Sequence, residues 1–153
     1  MYLGKLLKSA NKNYQKIFVN GISFDSRKVK KGNIFFAIEG SQKSGSKFIN
    51  EAISKGASVI ISNKKVKIDN QKVHLHVVND VRKSLSEACS KFYKKKPSHI
   101  IAVTGTNGKS SVADFFYQIL NFNKVPAASI GTLGLISKKY IKKTNLTSTD
   151  PLS

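Results

Sequence analysis

An apolar run, His99 to Val103 (HIIAV), leads through Thr104-Gly105-Thr106-Asn107-Gly108-Lys109-Ser110-Ser111 into a segment whose Val112, Phe115, Phe116, Ile119 and Leu120 repeat at helical spacing. No other feature constrains the chain as much, because strand, glycine turn and amphipathic helix in that order demand a βα unit. Glycine lets the backbone approach a bound anion closely, successive amide N–H groups form a concave nest, and the helix N-terminus favours negative charge. Lys109 is predicted to reach the terminal phosphates of a nucleotide, and the Ser110 hydroxyl to ligate a bridging Mg²⁺. The strict pattern G-x-x-x-x-G-K-[ST] would need glycine where the chain has Val103, so the motif is a shorter variant. A lysine and a serine at a helix start are hard to explain as packing.

Strand-like runs alternate with helical patterns elsewhere, which predicts an α/β fold. Asn33 to Ile38 (NIFFAI) follows the turn signal at Gly32, and Ala57 to Ser62 (ASVIIS) follows Gly56. Between them Phe48, Ile49, Ala52 and Ile53 share a helical face, with Ser46 as N-cap and Gly56 as stop. Val73 to Val78 (VHLHVV) reads as the next strand, and Asp80 caps a helix marked by Val81, Leu85, Ala88, Cys89 and Phe92. Lysines 94 to 96 suit the negative end of that helix. Pro97 marks a boundary between residues 1–97 and 98–153. In the second part His99 to Val103 is expected to be a buried parallel strand and Ala127 to Ile130 (AASI) the returning one. The tail from Ser137 is polar and ends without a stop signal, as though cut.

The formal net charge is +19, yet among 27 basic residues only Arg27 and Arg82 are arginine. Base readout and bidentate phosphate clamping favour arginine forks, and the lysines are spread along the whole chain, so a solvated lysine-rich surface is expected and not a nucleic-acid face. Cys89 is the single cysteine, which excludes an intrachain disulfide and fits a reducing compartment. No run is long enough for a signal peptide or a membrane span, so a cytoplasmic chain without a membrane partner is expected. His74 and His76 share a strand face but lack a third metal ligand.

The glycine loop after a short apolar strand resembles the ATP loop of the Mur ligase family and of its folylpolyglutamate synthase relatives. Phe24-Asp25-Ser26-Arg27, followed by Val29, Gly32 and Ile34-Phe35-Phe36-Ala37, resembles the D-S-R…G-[DN]-[LI]-F-[VF]-A block of the UDP-sugar-binding domain in the MurE and MurF types. Gly131-Thr132-Leu133-Gly134 and Leu146-Thr147-Ser148-Thr149-Asp150-Pro151 resemble segments of the MurE type, which argues against the MurF and folylpolyglutamate alternatives. Ser44-Gly45-Ser46 departs from the family's D-G-H, and Thr149 stands where proline is usual.

The resemblance implies a small N-terminal UDP-sugar-binding α/β domain, residues 1–97, followed by the start of a P-loop ATPase central domain, residues 98–153. It implies an ATP- and Mg²⁺-dependent ligase of peptidoglycan precursor synthesis, a monomer in expectation. Such an enzyme joins diaminopimelate or lysine to UDP-N-acetylmuramoyl-L-alanyl-D-glutamate through an acyl phosphate. Carried over by position, Gly105, Thr106, Asn107, Gly108, Lys109, Ser110 and Ser111 would hold ATP, with Lys109 catalytic and Ser110 on the metal. Phe24, Ser26, Ser41, Gln42 and Lys43 would contact the UDP-sugar, and Leu146, Thr147 and Ser148 the muramoyl peptide. The family's later central-domain and C-terminal residues are absent from this sequence, so the chain alone is expected to be inactive. A non-enzymatic basic binding module is the alternative of a different class.

Overall fold

The apolar runs at 33–38 and 57–62 become the two central strands of a parallel sheet, as the sequence leads one to expect. In the computed structural model, which describes residues 1–7, 12–40, 44–143 and 152, the chain divides into two compact units. Met1–Lys96 with Leu152 forms one, and Pro97–Pro151 with Ser153 the other.

The first unit is α/β. Strands β1 (Gly21–Ser23), β2 (Asn33–Phe36), β3 (Val59–Ser62) and β4 (His74–Val77) lie in the order β1-β2-β3-β4, every neighbour parallel. Both central strands are buried along their whole length, which is why they read as continuous apolar runs and not as alternating ones. The two-residue period still sorts their side chains. Ile34, Phe36, Val59 and Ile61 pack with α1 (Leu3–Leu6) and α3 (Val81–Phe92), whereas Phe35 and Ile60 pack with α2 (Ile49–Ser54). The register carries this through the sheet, pairing Phe35 with Ile60 and Ile60 with Leu75.

Helix α3 forms where its apolar repeat and its cap coincide. Val81, Leu85, Ala88 and Cys89 are buried, and the Asp80 carboxylate accepts from the Lys83 N–H at 2.9 Å. Cys89 is a packing residue, its thiol pushed up to about 11 by burial. His74 lies against the Tyr14 ring at 4.4 Å. Ser46 is not a helix cap: it sits inside a 3-10 turn, Gly45–Phe48, that precedes α2, and its hydroxyl bonds to that of Ser44. Gly56, at φ +94°, stops α2 as its glycine suggests.

The second unit keeps the predicted helix and changes the predicted sheet. Helix α4 spans Lys109–Phe122. His99 to Val103 forms no strand, and Ile100 and Ile101 are exposed. A parallel strand exists only against a neighbour, and the remaining strands here pair among themselves. Strand β5 (Ala128–Gly131) turns through Thr132 and Leu133 into β6 (Gly134–Ser137), and β6 turns into β7 (Tyr140–Lys142), both pairs antiparallel. Residues 128–131 are therefore the first arm of a hairpin, not the return of a βαβ unit, and part of the polar tail is strand. Gly134 is required there, since φ is +106° and a Cβ would strike the Lys142 carbonyl oxygen. Among the described residues no helix is long and apolar enough to cross a membrane.

Candidate functional site

The loop at 105–108 delivers the chain into α4 through two glycines in the left-handed region, Gly105 at φ +149° and Gly108 at φ +77°. Gly108 is the helix N-cap and offers no side chain to the first helical amides, which leaves those donors for a ligand. A Cβ at Gly108 would touch nothing within 4 Å, so conformation and not space demands glycine there. Lys109 is the first helical residue. Its ammonium folds over the loop and donates to the carbonyl oxygens of Gly105 at 2.6 Å and Thr106 at 3.0 Å. Those bonds hold a positive charge beside the open amides, where a phosphate can exchange for the carbonyls.

Ser110 follows, its hydroxyl 3.3 Å from that of Thr132 in the β5–β6 turn. Thr104 to Gly108, Ser110 and Ser111 are exposed and Lys109 is half-buried. Mg²⁺ takes oxygen ligands and keeps several waters. One serine hydroxyl fits such an ion when phosphate oxygens and water complete the shell, and the described residues hold no cluster of three His, Cys, Asp or Glu that would favour another metal.

The second predicted group lies in the first unit. Residues Ser26–Lys28 form a 3-10 turn between β1 and β2, capped by Asp25, whose carboxylate accepts from the Arg27 N–H at 3.0 Å. The Arg27 guanidinium closes back on both oxygens of that carboxylate, at 2.9 and 2.8 Å, and holds its pKa below the usual range. Asp25 and Arg27 thus close the turn on themselves. Ser26 is buried, and its hydroxyl donates to Glu51 on α2 at 2.7 Å. That bond, with Lys55 beyond it, lowers the Glu51 pKa. The Ser26 oxygen keeps its lone pairs for a donor on a ligand. Phe24 is half-buried against the α1/α3 side of the core.

Ser41, Gln42, Lys43, Leu146, Thr147 and Ser148 lie outside the described residues. The flanks of 41–43 are described: Glu39 and Ser44 form an antiparallel bridge, and Gly45 packs on the end of β2. A Cβ at Gly45 would come within 2.6 Å of the Ile38 nitrogen and 2.7 Å of the Ala37 carbonyl carbon, both backbone. Gly45→Ala is therefore expected to cost about 1–3 kcal/mol by overpacking, seen as a lower urea midpoint in far-UV circular dichroism. An unchanged midpoint would show that the turn can move. Glu51, which ties α2 to the Ser26 turn, is a residue the sequence reading missed. Its only local signal is the i,i+4 pair with Lys55, and its partner Ser26 lies 25 positions away.

A family model described as Mur ligase family, catalytic domain, matches residues 18–99, more than half of the chain, and stops short of the glycine loop. A UDP-N-acetylmuramoyl-L-alanyl-D-glutamate--2,6-diaminopimelate ligase from Rickettsia conorii is 47% identical over 122 residues, covering 80% of this chain and 25% of the relative. One of the same name from Agrobacterium fabrum is 42% identical over 137 residues, covering 90% and 27%. The chain spans about a quarter of the length of these curated relatives. Among solved structures, one of a ligase with that name superposes with a TM-score of 0.77 at 28% identity, covering 99% of this chain and 31% of the other. A MurF ligase from Thermotoga maritima in complex with ADP gives 0.53 at 25% identity, covering 66% and 23%. With the parallel sheet and the glycine-capped helix in place beside these likenesses, the chain belongs to the Mur ligase family.

Proposed function

We propose that this chain supplies the UDP-muramoyl-substrate domain, residues 1–97, and the opening nucleotide-phosphate segment, residues 98–153, of an ATP-dependent amide ligase. The reaction would join diaminopimelate to UDP-N-acetylmuramoyl-L-alanyl-D-glutamate, a choice over lysine that the names of the relatives favour. The observation that carries this reading is the glycine-capped start of α4, with Lys109 folded over an open anion nest. A cytoplasmic setting fits the single, buried cysteine.

The chemistry follows from the weakness of a carboxylate as an electrophile. A glutamyl carboxylate oxygen would attack the γ-phosphorus with ADP leaving, and the amine would then attack the acyl carbon, displacing phosphate and losing a proton. In the first step the loop amides and Lys109 would hold the β- and γ-phosphates in line and offset charge growing on the transferring group. Ser110 would hold the Mg²⁺, which would supply positive charge to offset that of the phosphates. The Ser26 turn and the flanks of 41–43 would orient the UDP-sugar. Catalysis needs three substrates positioned together, and a chain that spans 25% of its relatives is expected to bind and not to ligate.

Calorimetric titration of the chain with UDP-N-acetylmuramoyl-L-alanyl-D-glutamate, beside UDP and duplex DNA, tests the reading. Saturable binding of the muramoyl dipeptide, tighter than UDP, is the expected outcome. Absence of that binding, with salt-sensitive affinity for DNA in its place, would move the chain to the basic-module class.

A further inference from the structure

One end of the Met1–Lys96 unit carries a surface that neither the Ser26 turn nor the glycine loop uses. Met1, Tyr2, Lys5, Lys91 and Lys94 line an open cleft of about 520 Å³ between α1 and the end of α3. The Lys91 ammonium ties α3 to α1 by donating to the Leu6 carbonyl at 2.8 Å, and the Met1 amine donates to the Val19 carbonyl at 2.7 Å. Lys5 and Lys94 are exposed, and none of the three lysines is ion-paired among the described residues. Glu87, the one carboxylate of α3, pairs with none of them.

One exposed ring lines the cleft and two more lie next to its lining residues. Tyr2 and Phe18, 50% and 57% exposed, meet edge to face at 5.6 Å, and Tyr93, 51% exposed, stands against Phe92 beside Lys94. Aromatic rings with a polar or exposed edge, interspersed with lysines whose alkyl stems can lie along them, make a surface suited to a lipid headgroup layer. Each lysine near an anionic leaflet adds attraction that is felt within a Debye length.

We propose that this end of the first unit is a docking surface for an anionic membrane. A single nucleic-acid strand would also meet lysines and rings, but stacked bases need ring faces presented in parallel succession. Tyr2 and Phe18 stand at 88° to one another, and Phe92 and Tyr93 at 72°, whereas a headgroup layer accepts rings at any inclination. The cleft also has no arginine fork for a phosphate clamp. The expectation of no membrane partner follows from the lack of a spanning run, which a peripheral surface does not need.

The test is co-sedimentation of the full chain with phosphatidylcholine vesicles, with and without phosphatidylglycerol, at near-physiological salt. The variant K5Q/K91Q/K94Q is compared with K64Q/K65Q/K72Q, which removes the same charge from residues between β3 and β4. Binding to the phosphatidylglycerol vesicles, lowered about a hundredfold by the first triple variant and far less by the second, is expected. Y2S/F18S should retain salt-sensitive binding and lose what persists at high salt. Equal loss from both triple variants would reduce the binding to net charge and overturn the proposal. So would a first triple variant that loses oligonucleotide affinity and keeps vesicle affinity. Far-UV circular dichroism of each variant separates lost binding from lost folding.

Discussion

Phe35→Ala is expected to destabilise the first unit by about 3–5 kcal/mol, a large part of the roughly 5–15 kcal/mol that a domain has in total. Phe35 is 1% exposed at the centre of the sheet and packs with Val29, Ile49, Ala52 and Ile60, so truncation removes transfer free energy and leaves a cavity walled by sheet on one side and α2 on the other. Neither wall can close easily, because the pairing of β2 with both neighbours fixes its backbone. Urea unfolding followed by far-UV circular dichroism would read the change, with Phe122→Ala, at a ring 88% exposed, as a control expected within about 0.5 kcal/mol. A Phe35→Ala loss below about 1 kcal/mol would mean that α2 can settle onto the sheet.

Lys109→Ala should weaken ATP binding by roughly ten- to a hundredfold, the range set by about 1.5–3 kcal/mol for hydrogen bonds to a charged group. Lys109 gives up its two contacts with loop carbonyls when a phosphate arrives, and its half-exposed position makes the exchange inexpensive. Affinity for UDP should stay the same, since Phe24 and Ser26, which would contact it, belong to the other unit. Lys109→Arg should restore only part of the loss, a planar fork being a poor copy of a compact ammonium. ATP affinity unchanged in the alanine variant would remove Lys109 from the nucleotide site.

Much of the first unit was legible because burial there is reported by local pattern. Continuous apolar runs at 33–38 and 57–62 meant strands covered on both faces, and Asp80 followed by a 3.6-residue repeat meant α3. Strand β1 escaped notice, since three residues carry too little periodicity to detect, and α1 is a single turn held by distant partners. In the second unit the helix was legible and its surroundings were not. The β-branched run 99–103 has a strand's composition, but a strand is a relation between two segments, and its own residues cannot announce whether a partner is present. The hairpin of β5 and β6 had a signal in its two flanking glycines, read instead as part of a motif.

At the candidate site the glycine loop was visible because its chemistry is contiguous in sequence. The Ser26 to Glu51 bond was not, because it joins a turn to a helix that packing alone brings beside it.

The strand order β1-β2-β3-β4 also bears on how the chain takes shape as it is made. Each strand is laid beside the one that left the ribosome before it, so the sheet can grow at a single edge in the order of synthesis. Its cover cannot keep pace. Helix α1 is made before the sheet, yet Leu6 waits for Lys91, 85 residues later, to close over it. Until α3 arrives, Leu3, Leu6 and Leu7 lack the cover that α3 gives them, and the nascent chain is open to misassembly around α1.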